Sequence, residues 1–151
     1  RVGEALGPYG SHRVMATTEA GLLPLYSEWT VLDTWGLNDP WIAHHHGLIT
    51  ADYLDRWKPD VIAIHGFPAP AGSSQKPNWQ RLGSQPGWQA MLSVLEQYAE
   101  AHRYRTAATV GDWPSDPMIY YVRSDAPDAA KIIASIRLAV AQAENREASE
   151  P

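Results

Sequence analysis

Apolar and polar residues follow one another in blocks that predict short strands separated by helices. The clearest strand is 61–65, whose four leading apolar residues are not interrupted by a polar one, as is typical of a strand buried on both faces of a parallel sheet. Segments 13–18 and 30–33 predict two shorter strands. Apolar residues recur at helical spacing from Trp88 to His102 and predict an amphipathic helix over 87–102.

The rest of the chain completes an alternating pattern. A helix is expected to end near Leu6, a helical turn to follow Glu19, and the final helix to open at Pro127. The other predicted elements are a helix after Asp39-Pro40 that ends at Gly47, a helix over 50–57 capped by Thr50, a long loop over 67–87, and strands over 104–110 and 118–123.

This alternation of strands and helices predicts an α/β fold. We expect a small three-layer sandwich with a mostly parallel central sheet of about five strands and a hairpin near the C-terminal end. Residues 1–143 are predicted to form a single α/β domain, and residues 144–151 a frayed acidic tail.

Composition narrows the possible functions of the 151 residues. The net charge of −5 argues against a nucleic-acid partner, and the absence of cysteine excludes thiol catalysis and a disulfide framework. No apolar run approaches the length that spans a bilayer. The chain begins with Arg1, so we expect it to be part of a longer protein. Seven Trp and seven Tyr against one Phe suit either half-wet sugar-stacking surfaces or a Trp-rich core.

Polar residues with chemical potential gather where the predicted strands end. Glu19, Asp33 and His65 close three successive strands, and Asn38 and Asp39 begin the next helix. Ligands of open α/β sheets bind outside the carboxyl ends of the strands, so these side chains are expected to line one ligand-binding edge. The alternative is structural, because Asp, Asn and Thr at strand ends commonly cap helices and hold turns.

Metal, cofactor and nucleophile motifs are weak. The run His44-His45-His46 cannot converge on one ion from a helix, since adjacent helical residues point about 100° apart. No glycine-rich phosphate loop, GxSxG elbow or HExxH pattern occurs. We therefore predict no metal and no cofactor. Asp33 paired with Glu19 or Asp39 could in principle serve glycoside hydrolysis, but sequence spacing leaves the pairing open.

The segment from Thr17 to Ala43 resembles one found in polytopic membrane glycosyltransferases of the GT-C type, the mannosyl- and arabinofuranosyltransferase-like enzymes. There the pattern is approximately D/E-A-G-x-x-P-Y-Y-S followed by D-x-x-G-L-N/A-D-x-x-I-A. The matching residues here are Glu19, Ala20, Gly21, Pro24, Tyr26, Ser27, Asp33, Gly36, Leu37, Asn38, Asp39, Ile42 and Ala43.

The resemblance implies a soluble domain on the extracytoplasmic face of the cell membrane, attached to the membrane-embedded part of the same polypeptide. In that family the catalytic carboxylate lies in the membrane part, so this domain would be inert alone. It would contact the acceptor glycan of a lipid-linked-sugar glycosyltransferase or brace the membrane domain. The predicted ligand-binding residues are three aromatic residues for stacking and five polar ones: Tyr26, Trp35, Trp41, Glu19, Asp33, Asn38, Asp39 and His65.

Two other classes of function stay open from the sequence. One is a stand-alone hydrolase that uses Asp33, Asp39 and His65, with or without a metal. The other is a structural or partner-binding domain without a small-molecule site.

Overall fold

The computed structural model describes residues 1–19, 21–45, 48–66, 86–111 and 117–147. The helices are α1 (Val2–Leu6), α2 (Leu22–Ser27), α3 (Pro40–His44), α4 (Ala51–Trp57), α5 (Pro86–Ala101) and α6 (Ala129–Glu147), and a 3-10 helix spans Gly7–Tyr9. The strands are β1 (Val14–Thr17), β2 (Thr30–Asp33), β3 (Val61–His65), β4 (Tyr104–Val110) and β5 (Met118–Arg123).

The five strands form one open sheet in the order β2-β1-β3-β5-β4. β1 pairs in parallel with β2 and with β3, whereas β5 pairs antiparallel with both of its neighbours. The predicted α/β class, five-stranded sheet and hairpin near the C-terminal end are therefore confirmed. The sheet is mixed rather than mostly parallel as predicted, because the parallel pairings are those among β1, β2 and β3 and both pairings of β5 are antiparallel.

Helices cover both faces of this sheet, which gives the predicted three layers. On one face, strand residues such as Ala16 and Ile62 pack with Leu54 of α4 and Leu92 of α5. On the other face, a second core is built by β1, β3, the β4–β5 hairpin and α6: Met15, Val61, Ala63, Ala107, Tyr120, Val122, Ile132, Ile133 and Ile136. The lack of alternation in β3 is explained, because its successive residues enter the two cores in turn.

An ion cluster closes the amino-terminal edge of the sheet around buried Asp60. Its Oδ1 accepts a hydrogen bond from Arg123 Nη2 at 3.0 Å and lies 3.6 Å from Arg13 Nη1. Its Oδ2 accepts the backbone N–H of Val14. Arg13 also pairs with Asp128, just before α6. This cluster ties β1, β5 and α6 together at the edge opposite the predicted ligand-binding edge.

The outer strand β4 contains a bulge. Its register with β5 shifts between Thr106 and Ala108, which leaves Ala107 as the extra residue. The carbonyl oxygen of Ala107 accepts a hydrogen bond from Arg137 Nε at 2.9 Å. Helix α6 therefore holds the bulge through Arg137.

Several predicted element boundaries move. The predicted helix end near Leu6 is confirmed. A short 3-10 helix follows directly, and Pro8 occupies an early position in it that needs no amide hydrogen. α6 begins at Ala129 rather than Pro127 and continues through residues 144–147. α5 begins at Pro86, inside the predicted loop. Residues 67–85 of that loop and 148–151 of the predicted tail lie outside the described residues.

Among the described residues, no helix is both long and apolar enough to cross a bilayer.

Candidate functional site

Glu19 and His65 meet at the carboxyl ends of β1 and β3. The Nδ1 atom of His65 lies 2.7 Å from Oε1 of Glu19, and the two side chains are 33% and 40% exposed. The neighbouring threonines fix the backbone here, because Thr18 Oγ1 accepts the His65 N–H and Thr17 Oγ1 accepts the Glu19 N–H. Two side chains 46 positions apart are thus held together and remain accessible to solvent.

The pair has a defined electrostatic character. The hydrogen bond from His65 lowers the pKa of Glu19, with a further lowering by the His65 charge, although partial burial acts in the opposite direction. Burial, reinforced by the negative charge of Glu19, raises the pKa of Tyr120 to about 12. At neutral pH the site therefore presents a carboxylate beside an imidazole, with the neutral phenol of Tyr120 close by.

Asp33 holds the turn that follows β2. Its Oδ1 accepts the N–H groups of Trp35 and Gly36 at 3.2 and 3.3 Å, and its Oδ2 accepts the N–H of Asn38 at 2.8 Å. The side chain is 3% exposed. β2 and β3 flank β1 on opposite sides, so Asp33 lies two strand spacings, roughly 10 Å, from the end of β3. Both carboxylate oxygens of Asp33 serve the fold, and the exposed Asn38 is part of the same turn.

Asp39 caps α3 and ties it to α4. Its Oδ1 accepts the N–H of Ile42 at 3.1 Å, and its Oδ2 accepts the hydroxyl of Tyr53 at 2.9 Å. Asp39 is buried, and Pro40 occupies the first helical position. Burial, the hydrogen bond to Asp39 and the charge of Asp39 all raise the pKa of Tyr53. Asp33 and Asp39 therefore have the structural roles that were the alternative to ligand binding: Asp33 holds a turn and Asp39 caps a helix.

The predicted stacking residues lie in three different surroundings. Trp41 is sandwiched between Tyr53 and His45, with ring centroids 4.1 and 3.9 Å away and nearly parallel planes. Trp35 meets the edge of Trp88 at 5.0 Å. Tyr26, on α2, is 48% exposed and borders a surface depression with residues of α1 and α6. These three side chains do not form one stacking surface, and Trp41 has both ring faces covered.

The histidine run gives no metal site within the part of the chain that the structure describes. No group of three or more His, Asp or Glu residues there could hold an ion. His44 is exposed, and His45 places its Nδ1 2.6 Å from the carbonyl of Trp41. His46 lies outside the described residues.

A groove of about 360 Å³, the apolar groove below, lies on the sheet face that carries His65. His65 is directly opposite Met118 in the β3–β5 ladder, and Ala63 is opposite Tyr120. Opposite residues of an antiparallel pair point to the same face, and both Met118 and Tyr120 line the groove. Its lining is Arg1, Val2, Gly3, Leu22, Leu23, Val110, Met118, Tyr120, Ala139, Val140, Ala143 and Glu144.

Tyr120 and the groove were not predicted from the sequence. The sequence does predict a strand over 118–123, but only the pairing of β5 with β3 brings Met118 and Tyr120 onto the sheet face that carries His65.

Residues 1–120 match the sequence profile of a family described as a domain of unknown function, DUF8728. The chain belongs to this family. The DUF8728 match contains Glu19, His65 and Tyr120 and ends before α6. Comparisons with curated proteins and with solved structures found no match.

Proposed function

We propose that this DUF8728 domain is a non-catalytic, ligand-binding part of a membrane glycosyltransferase that uses a lipid-linked sugar donor. It binds hydroxyl groups of the acceptor glycan at the Glu19–His65 pair, on the extracytoplasmic side of the membrane. The observation that carries the binding part of this proposal is the accessible 2.7 Å pair at the strand ends. The glycosyltransferase context is supported by the resemblance of residues 17–43 to GT-C enzymes.

The chemistry of the pair suits hydroxyl recognition. A carboxylate accepts hydrogen bonds and an imidazole both donates and accepts them, so together they can contact neighbouring hydroxyls of a sugar. Hydrogen bonds to a charged acceptor are stronger than those between neutral groups. Asp33 and Asp39 are less suited to this role, because both are buried and already accept hydrogen bonds.

The proposal is tested by titrating mannose- and arabinose-containing oligosaccharides into the ¹⁵N-labelled domain. We expect amide shifts centred on Thr18, Glu19, His65 and Gly66, and loss of these shifts in Glu19→Gln. The matched control Glu100→Gln changes an exposed glutamate on α5 and should bind like the parent. Shifts centred on 33–39 instead, or identical titrations of the two variants, would refute the assignment.

Asp33→Ala separates the two roles of the acids. We expect it to lower the free energy of unfolding by about 2–3 kcal/mol, because three backbone N–H groups lose their acceptor, while the folded fraction still binds at Glu19. Loss of saccharide binding at unchanged stability would instead place Asp33 in the ligand site.

A stand-alone hydrolase is the alternative, and it requires turnover from the domain itself. The hydrogen bonds that occupy Asp33 and Asp39 favour binding over this alternative. Hydrolysis of any substrate in a broad panel, lost in His65→Gln, would support the hydrolase and refute a non-catalytic domain.

A further inference from the structure

The apolar groove lies on the same sheet face as His65, which is directly opposite the groove residue Met118. Its floor is Val110, Met118 and Tyr120, since Val110 and Met118 are opposite one another in the β4–β5 ladder. One wall is formed by α6 and the other by α1 and the start of α2. Glu19 lies three residues before Leu22, the first residue of α2. The polar pair therefore stands beside the groove, with His65 opposite Met118 and with Glu19 close enough for its charge to act on Tyr120.

The lining of the groove is aliphatic over most of its length. Leu23, Met118 and Val140 contribute side chains from three different elements, and Arg1 and Glu144 are the only charged lining residues in the described part of the chain. At the rim, Leu22 keeps 69% of its surface exposed. A pocket of this size with apolar walls and a few polar groups at one end is typical of small-molecule sites.

We propose that the apolar groove binds the aliphatic chain of an amphiphile whose head is polar and uncharged, with the head at the Tyr120 and Glu19 end. Burial of the chain removes apolar surface of both partners from water, including that of Leu22. The head hydrogen-bonds to the Glu19 carboxylate, which is an acceptor. Binding of the aliphatic chain requires no sugar, although the head uses the Glu19 carboxylate that the proposed glycan site also uses.

The charges around the groove select the head. An anionic head at the Tyr120 end would meet the Glu19 carboxylate at close range, which is unfavourable. A cationic head would be repelled by the imidazole of His65 when that ring is protonated, since it lies 2.7 Å from Glu19. Arg1 and Glu144 carry opposite charges and together favour neither sign. An uncharged head that forms hydrogen bonds is therefore compatible with all four side chains: Glu19, His65, Arg1 and Glu144.

The test uses tetraethylene glycol monooctyl ether below its micelle concentration, followed by NMR of the ¹⁵N-labelled chain. We expect amide shifts at Leu23, Met118, Tyr120 and Val140. The hexyl ether should bind roughly tenfold more weakly, because two methylenes fewer are buried. Octanoate and octylammonium, with the same chain length and charged heads, should bind more weakly than the octyl ether.

A matched pair of variants on α6 tests where the aliphatic chain of the ligand binds. Ala143→Trp fills the groove from α6 and should abolish the shifts, whereas Ala141→Trp alters an exposed position of the same helix and should leave them unchanged. If Ala143→Trp does not fold, the chain-length series on the parent protein still decides. Equal affinity for hexyl and octyl ethers, tighter binding of either charged probe, equal binding of the two variants, or no binding would overturn the proposal. Failure here with intact saccharide shifts at Glu19 would leave the glycan proposal standing.

Discussion

Replacing Asp39 with alanine is expected to destabilise the fold strongly, although Asp39 was predicted as a ligand-binding residue. Its carboxylate caps α3 through the Ile42 N–H and accepts the Tyr53 hydroxyl, which lies on α4. Both connections are lost together in Asp39→Ala. The effect should appear in the free energy of unfolding and leave saccharide shifts at Glu19 intact.

The magnitude follows from the two lost hydrogen bonds. Loss of a helix N-cap costs about 1 kcal/mol. Tyr53 is 6% exposed, and a buried hydroxyl left without its acceptor costs about 1–3 kcal/mol more. The sum is about 2–4 kcal/mol, a large fraction of the roughly 5–15 kcal/mol that stabilises a typical domain.

Urea unfolding monitored by tryptophan fluorescence gives this value directly, and a double-mutant cycle with Tyr53→Phe isolates the contact. We expect the two substitutions to be less than additive by about 1–2 kcal/mol, because either one removes the same hydrogen bond. The control Asp52→Ala, at an exposed position in the first turn of α4, should cost less than about 1 kcal/mol. A coupling near zero, or a cost for Asp39→Ala no greater than that for Asp52→Ala, would refute a bracing role.

Two further predictions concern packing and alkaline pH. Gly3→Ala should destabilise by about 1–3 kcal/mol in urea unfolding, because a Cβ at Gly3 would lie 2.8 Å from the backbone oxygen of Leu23; Gly87→Ala, with its nearest neighbour at 3.8 Å, should be neutral or stabilising by up to about 1 kcal/mol. Burial raises the pKa of Tyr120 and of Tyr121 from 10.0 to about 12, so their stabilising contribution is complete below pH 10 and is lost as the pH rises toward 12. Phenolate absorbance of these residues that titrates near pH 10 while the fold persists would contradict this.

Local signals in the sequence predicted much of the fold. Thr50 and Asp39 do cap the helices that they precede, since capping depends on a side chain and backbone N–H groups within three residues. The uninterrupted apolar run of β3 indicated its burial on both faces, because this signal also lies within a few neighbouring residues. The alternation of strands and helices then restricted the fold class.

Which acids stabilise the fold and which remain accessible to a ligand could not be predicted, because this depends on contacts between distant segments. Asp33 and Glu19 both follow short strands, yet Asp33 closes its own turn while Glu19 reaches His65. The sequence offers the same residue types at the same kind of position in both cases. Only the order of strands places Glu19 next to β3 and brings Tyr120 to its side.

The bulge in β4 has a consequence for how the molecule behaves among its own copies. β4 is an outer strand of the sheet, and an unpaired outer strand is a template for edge-to-edge aggregation. The extra residue Ala107 interrupts the regular hydrogen-bonding pattern of this strand, and its carbonyl oxygen already accepts a hydrogen bond from Arg137. The other outer strand, β2, has four residues, too few for a long intermolecular ladder. We therefore expect loss of Arg137 to favour self-association of the domain in concentrated solution.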